Sequence, residues 1–178
     1  LESGYLAQNY EDEFQELWSG TFGKGEKVRY PEVHVNGIMI KNYFSPDDDT
    51  AEKIEKEISE AEESVYFMIF SFTHPAIATE IVLAHERGLD VKGVMEKSQN
   101  SRYSRKSLFD TQGLDVMWDN NSANMHHKFF VIDEEIVITG SFNPSKNADE
   151  RNDENILIIH DEVIAGMFAE EFRRMHER

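Results

Sequence analysis

No cysteine occurs among the 178 residues, which excludes a disulfide framework, a thiol nucleophile and any thiolate metal site. No apolar run approaches the roughly 18 residues of a membrane-spanning helix, so a soluble domain is expected and its compartment is left open. Cations are few. The 18 Lys and Arg stand against 35 Asp and Glu, and the formal charge of −17 repels polyanions at long range, so an anionic substrate requires a local basic patch. Lysine is not scarce, which argues against salt adaptation as the reason for the acidity. The opening Leu-Glu-Ser-Gly lacks an initiator Met and the pattern of a signal peptide, as expected of a piece of a longer protein.

What is present suffices for one core. Hydrophobic residues make up 39% of the chain, with 12 Phe, 6 Tyr and 2 Trp, at a length suited to one domain rather than two. Residues 1–30 read as a helix and a Gly/Lys linker, with Tyr10, Phe14, Leu17 and Trp18 on one helical face. The same pattern returns at the other end, where Ala165, Phe168, Glu171, Phe172 and Met175 match Ala7, Tyr10, Glu13, Phe14 and Leu17. One reading makes the first segment the tail of a preceding domain copy; the other is that acidic amphipathic helices look alike.

Residues 31–178 form the expected domain. Val33–Val35 and Ile38–Phe44 flank the hairpin dipeptide Asn36-Gly37. A helix is expected over Asp47–Glu63, a buried strand over Val65–Phe72, and a helix from Pro75 to Gly88. Strands follow at Leu89–Met95 and Leu114–Trp118, separated by a polar loop, Ser98–Lys106, and a short helix, Ser107–Gly113. Lys128–Ile132 and Ile136–Thr139 make a second hairpin, Asn155–Ile159 a last strand, and a helix closes the chain from about Asp161. The alternation predicts an α/β layered fold, a mixed β-sheet with helices on both faces. The Asp47-Asp48-Asp49 run lacks the spacing of a calcium loop and is read as capping the helix it opens.

The informative stretch is Met125-His-His-Lys-Phe-Phe-Val-Ile-Asp133, followed by Gly140-Ser-Phe-Asn143 and Glu154-Asn155. With side chains alternating along a strand, His126 and Lys128 share one face and His127 takes the other. A neutral imidazole is a competent nucleophile toward phosphorus, and an adjacent ammonium holds the non-bridging oxygens. Ser141 and Asn143 are neutral donors suited to phosphate, and Glu154 is placed to accept the second imidazole N–H. Asp133 has the wrong parity for that face and reads as a structural or orienting carboxylate. No metal or other cofactor is needed, since Lys128 and Asn143 can do the electrostatic work.

These residues, in the order H-x-K-x4-D then G-S-x-N, resemble the signature of the phospholipase D superfamily, and within it the single-motif bacterial Nuc-type endonucleases. The resemblance also takes in Phe44-Ser-Pro46, Met68-Ile-Phe-Ser-Phe-Thr73 and Arg87-Gly-Leu-Asp-Val-Lys92. Pro144, where relatives often carry an aromatic, and the acidity of the chain are departures that bear on the substrate. The resemblance implies a phosphodiesterase working through a phosphohistidine, with His126, Lys128, Asn143, Glu154 and the signature acid Asp133 as its catalytic set. Ser71, on the turn at a strand's C-terminal end, joins Ser141 as a substrate contact. His74 sits near that turn and has an equally good reading as the start of a helix.

One imidazole cannot also protonate the leaving alkoxide, and none of the other six His is followed at the second position by Lys. The second set must come from a homodimer partner, as the resemblance implies, or from a second domain copy. The favoured substrate is nucleic acid, with Arg102, Arg105, Lys106 and Tyr103 as candidate contacts. A phospholipid headgroup and a catalytically silent half of a tandem protein are the alternatives.

Overall fold

The structure, a computed structural model, describes residues 2–177. Helix α1 (Gly4–Ser19) starts at Ser3, whose hydroxyl accepts from the Leu6 N–H, and stops at Gly20 in the left-handed region. Strands β1 (Glu32–Val35) and β2 (Ile38–Ser45) pair about Asn36-Gly37, both residues at positive φ. Then come α2 (Thr50–Glu60), β3 (Ser64–Ile69), α3 (Pro75–Glu86), β4 (Asp90–Met95), α4 (Lys106–Thr111), β5 (Asp115–Trp118) and β6 (Lys128–Ile132). The chain finishes with β7 (Ile136–Gly140), α5 (Lys146–Glu150), β8 (Glu154–His160) and α6 (Glu162–His176).

The strands form one sheet in the order β1-β2-β8-β7-β6-β3-β4-β5. β3, β4 and β5 run parallel because α3 and α4 carry the chain back between them; every other pairing is antiparallel. The sheet is therefore mixed, and alternate residues of each strand feed two cores. On one face Phe67, Ile69, Phe130, Ile132, Ile138 and Ile156 pack under Ile54 and Ile58 of α2, Ile77 and Ile81 of α3, Phe109 of α4 and Ala148 of α5. On the other face Met68, Val94, Phe129, Val131 and Val137 pack under Ala165, Ala169, Phe172 and Met175 of α6, with Leu6 of α1 at the margin. Helices thus cover both faces, as the alternation predicts.

Two local expectations change, and one short helix is added. Helix α2 begins at Thr50 rather than Asp47, because Asp49 is left-handed and offers no side-chain cap, while the Asp48 carboxylate is taken by the Phe44 and Val28 N–H groups. The cap comes instead from Asp149, whose Oδ1 accepts from Ala51 N at 3.0 Å. Strand β3 ends at Ile69, three residues early, where the backbone turns toward the site. Helix α5 lies within a polar stretch too short to show periodicity.

Candidate active site

The C-terminal ends of β3, β4 and β7 and the N-terminal ends of β6 and β8 meet at one edge of the sheet. Gly140 allows the close approach there: a Cβ at this position would lie 2.1 Å from the Asn155 carbonyl oxygen. β6 begins at Lys128, so His126 and His127 precede the strand. The Phe70 N–H nonetheless donates to the His127 carbonyl at 2.9 Å, which continues the β3–β6 alignment and preserves the alternation. His126 and Lys128 come together, with the Lys128 Nζ 3.3 Å from each His126 ring nitrogen and 3.1 Å from the His126 carbonyl oxygen. The imidazole is exposed and stands edge-on to Phe70, 4.6 Å between centroids. Burial pulls the Lys128 ammonium below the ordinary lysine range, with the Glu154 carboxylate opposing that shift. His127 points to the α6 side, its Nε2 3.7 Å from Glu171, and burial lowers its pKa.

Asn143 Oδ1 accepts from the Ser71 backbone N–H at 3.2 Å, which fixes the amide and turns its NH₂ toward other acceptors. Ser71 therefore contributes through its backbone. Ser141 exchanges bonds with Asn155: its N–H donates to the Asn155 carbonyl at 3.1 Å, and its Oγ accepts from Asn155 N at 3.1 Å. Glu154 does not take the imidazole N–H expected of it. Among the described residues its hydrogen bond is with Asn152 Nδ2, at 3.4 Å, and its coupling is to Lys128.

Asp133 lies apart, roughly 16 Å along β6 from Lys128 at the strand's rise per residue. Its carboxylate accepts from the N–H groups of Glu62 at 3.0 Å and of Glu63 and Ser64 at 2.8 Å. That corrects its inclusion in the catalytic set and agrees with its parity along the strand. His74 caps α3, accepting from the Ile77 N–H, and faces Asp149 at 3.6 Å.

The Arg102–Lys106 segment packs beside the turn after β3, but its cations are mostly engaged. Arg105 Nε donates to the Thr73 carbonyl at 2.9 Å. Lys106 is held by Asp110 and lies over Trp118, its side chain 11% exposed, which removes it as a substrate contact. Arg87 donates to the carbonyls of Ile58 and Ala61, and Lys92 pairs with Asp90. Arg102 stays at the surface, stacked 4.6 Å from the centre of the exposed Tyr103 ring, with Lys97 nearby in sequence and also exposed.

Glu96, at the end of β4, is a positioning group that sequence reading missed. It is 5% exposed, and its carboxylate accepts from Ser98 N at 2.7 Å and from Met125 N at 2.8 Å, gripping the backbone next to His126. Burial opposes its ionisation, yet these hydrogen bonds hold its pKa below the usual range. A Glu before a polar loop gives no linear signal of a partner 29 residues away.

An α/β sheet carrying an imidazole–ammonium pair, with amide and hydroxyl groups at the same edge, has the chemistry suited to holding a phosphate group. The family model described as "Cardiolipin synthase, PLD-like domain" matches residues 54–176, more than two thirds of the chain. The chain belongs to the phospholipase D superfamily. It is 35% identical over 116 residues to a mitochondrial cardiolipin hydrolase of Xenopus tropicalis, covering 65% of this chain and 55% of that protein. Identity to a phospholipase D of Rickettsia conorii is 31% over 132 residues, covering 74% and 66%. The crystal structure of Nuc, a phospholipase D family member from Salmonella typhimurium, superposes with a TM-score of 0.74 at 30% identity, covering 78% of this chain and 93% of that one. The chain spans about half to two thirds of the length of these two curated relatives.

Proposed function

We propose that the chain is a phosphodiesterase acting on nucleic acid through a phosphohistidine, with its second catalytic histidine supplied by another copy of the motif. The observation that carries this reading is the pairing of the exposed His126 imidazole with the Lys128 ammonium, beside an Asn143 amide whose oxygen is already engaged. In the first step a nitrogen of His126 forms a bond to phosphorus and the P–O bond to the leaving group breaks, the alkoxide taking a proton from the second copy's imidazolium. In the second step that imidazole, now neutral, removes a proton from water; the oxygen attacks phosphorus and His126 departs with its electron pair. Lys128 and the Asn143 NH₂ hold the non-bridging oxygens through both steps. Either a twofold homodimer or a second domain copy meets the requirement for the other histidine.

The Arg102–Tyr103 stack beside the site supports a nucleic acid, because a guanidinium and an aromatic face together suit a phosphate and an unpaired base. A phospholipid headgroup is the second reading, favoured by the two relatives named for cardiolipin hydrolysis and phospholipase D activity. The test incubates the chain with end-labelled single-stranded oligonucleotides in excess EDTA and, separately, with cardiolipin and phosphatidylcholine vesicles. Oligonucleotide cleavage that disappears in His126→Ala supports the first reading. Headgroup release without oligonucleotide cleavage overturns it in favour of the second.

A further inference from the structure

Helix α1 lies before the matched residues 54–176, yet one of its side chains reaches the site. Asn9 anchors the helix. It is 2% exposed; its Nδ2 donates to the Tyr30 carbonyl at 2.8 Å and to Asn42 Oδ1 at 3.1 Å, and its Oδ1 accepts from Tyr30 N at 3.0 Å. A helix pinned at one residue has the direction of the next residue fixed by its 3.6-residue turn. Tyr10 accordingly lies edge-on to Phe44, 5.1 Å between ring centroids, and its hydroxyl donates to Asn155 Oδ1 at 3.0 Å.

From there the bonds run into the site. Asn155 Nδ2 donates to Ser141 Oγ at 3.2 Å, and Asn155 N donates to the same oxygen at 3.1 Å. A serine hydroxyl has two acceptor positions and one proton. Asn155 fills both acceptor positions, so the Ser141 proton remains to be given to something else. Were the Asn155 amide turned over, its oxygen would face Ser141 and claim that proton. A phenol is a better donor than acceptor, because its oxygen lone pair is delocalised into the ring, and Tyr10 therefore favours the orientation with Oδ1 toward itself. Burial pushes the Tyr10 phenol up, so it keeps its proton through the neutral range.

We propose that Tyr10 is a positioning residue of the active site: by donating to Asn155 it selects the amide orientation that leaves the Ser141 proton free for a phosphate oxygen of the substrate. The inference rests on the phosphodiesterase reading of the site and extends it to a helix outside the matched family residues.

The test measures hydrolysis of bis(p-nitrophenyl) phosphate, a diester that favours neither nucleic acid nor lipid, by the full chain and by Tyr10→Phe, Ser141→Ala and the double variant. Tyr10→Phe is expected to lower kcat/KM roughly tenfold, the scale of one hydrogen bond to a charged group. In the Ser141→Ala background the same substitution should have no further effect, because the proton it orients is gone. Asn155→Asp, whose side chain still accepts from Tyr10 but presents Ser141 with an acceptor in place of a donor, should lose at least as much as Tyr10→Phe. A Tyr10→Phe loss that persists in the Ser141→Ala background, or no loss at all, overturns the inference. So does full activity in Ser141→Ala when His126→Ala is inactive, and in that case the phosphodiesterase reading stands. Absence of hydrolysis by the unaltered chain overturns both.

Discussion

The two ends of β6 both carry ionisable side chains and treat them in opposite ways. At the Asp133 end a carboxylate meets three backbone N–H groups, and the turn is closed. At the Lys128 end the imidazole is exposed, the ammonium is partly desolvated, and among the described residues the Asn143 NH₂ and the Ser141 hydroxyl have no acceptor. Polar groups in a half-buried setting are ordinarily matched one to one. An edge of the sheet that orients its donors with neighbouring backbone and leaves them open to solvent can present them to a ligand. The contrast teaches that the acid in a linear signature can serve the fold while the base and cation serve the chemistry.

Substitution at the two ends separates those roles. His126→Ala should reduce diester hydrolysis at least roughly a thousandfold, as loss of a nucleophile does, with the thermal midpoint almost unmoved because the ring is exposed. Asp133→Ala should do the reverse. Losing a charged acceptor of three backbone N–H groups costs about 2 kcal/mol, or roughly 4–8 °C in Tm at this chain length, with kcat of the folded protein retained. Comparable loss of kcat in Asp133→Ala at a temperature where it is fully folded would break the contrast.

A smaller effect is expected at Glu96. Glu96→Gln replaces one carboxylate oxygen with an NH₂ group, so one of the two gripped N–H groups, Ser98 or Met125, loses its acceptor. Loosening the backbone beside His126 should lower kcat by roughly tenfold, since about 1.4 kcal/mol corresponds to that factor. Steady-state assays at saturating substrate check this, and an unchanged kcat would show that His126 is held by β3 alone.

Much of this was legible in the sequence because it depends on period. Alternation along Lys128–Ile132 assigns residues to two cores, and the same alternation, run back two residues, joins His126 to Lys128. Asn36-Gly37 and Pro75 mark their boundaries because each demands a particular φ. What stayed hidden depends on partners distant in sequence. Asp149 caps a helix 98 residues earlier, and Asp110 takes the Lys106 ammonium out of a stretch that looks basic when charges are merely counted. The likeness of the two terminal helices also conceals a difference in burial. Phe172 of α6 is 2% exposed, whereas its counterpart in α1, Phe14, is 51% exposed and stacks on Trp18.

The site end also gathers acidic charge, and there the effect of pH has a definite sign. Glu13 of α1 faces Glu16 on its own helix, Asp153 before β8, and Asp47 and Asp48 after β2. Burial first, then these carboxylates, pushes its pKa up to about 7 from an ordinary value of 4.5. Between those two values the folded chain holds a proton that the unfolded chain releases, so stability falls as pH rises through the window and the loss is complete above about 7. Glu13→Gln removes the charge without changing the shape. It should raise Tm at pH 8, where Glu13 is otherwise ionised among like charges, and leave Tm nearly unchanged at pH 5, where Glu13 is already neutral. Because the side chain is only partly buried, solvent screening limits the gain to less than about 1 kcal/mol, the smallest of these effects, and added salt should shrink it further. Melting curves at both pH values decide the matter: an equal gain at pH 5 would mean that the substitution acts through helix propensity, not through the crowding of carboxylates that distinguishes this end of the sheet.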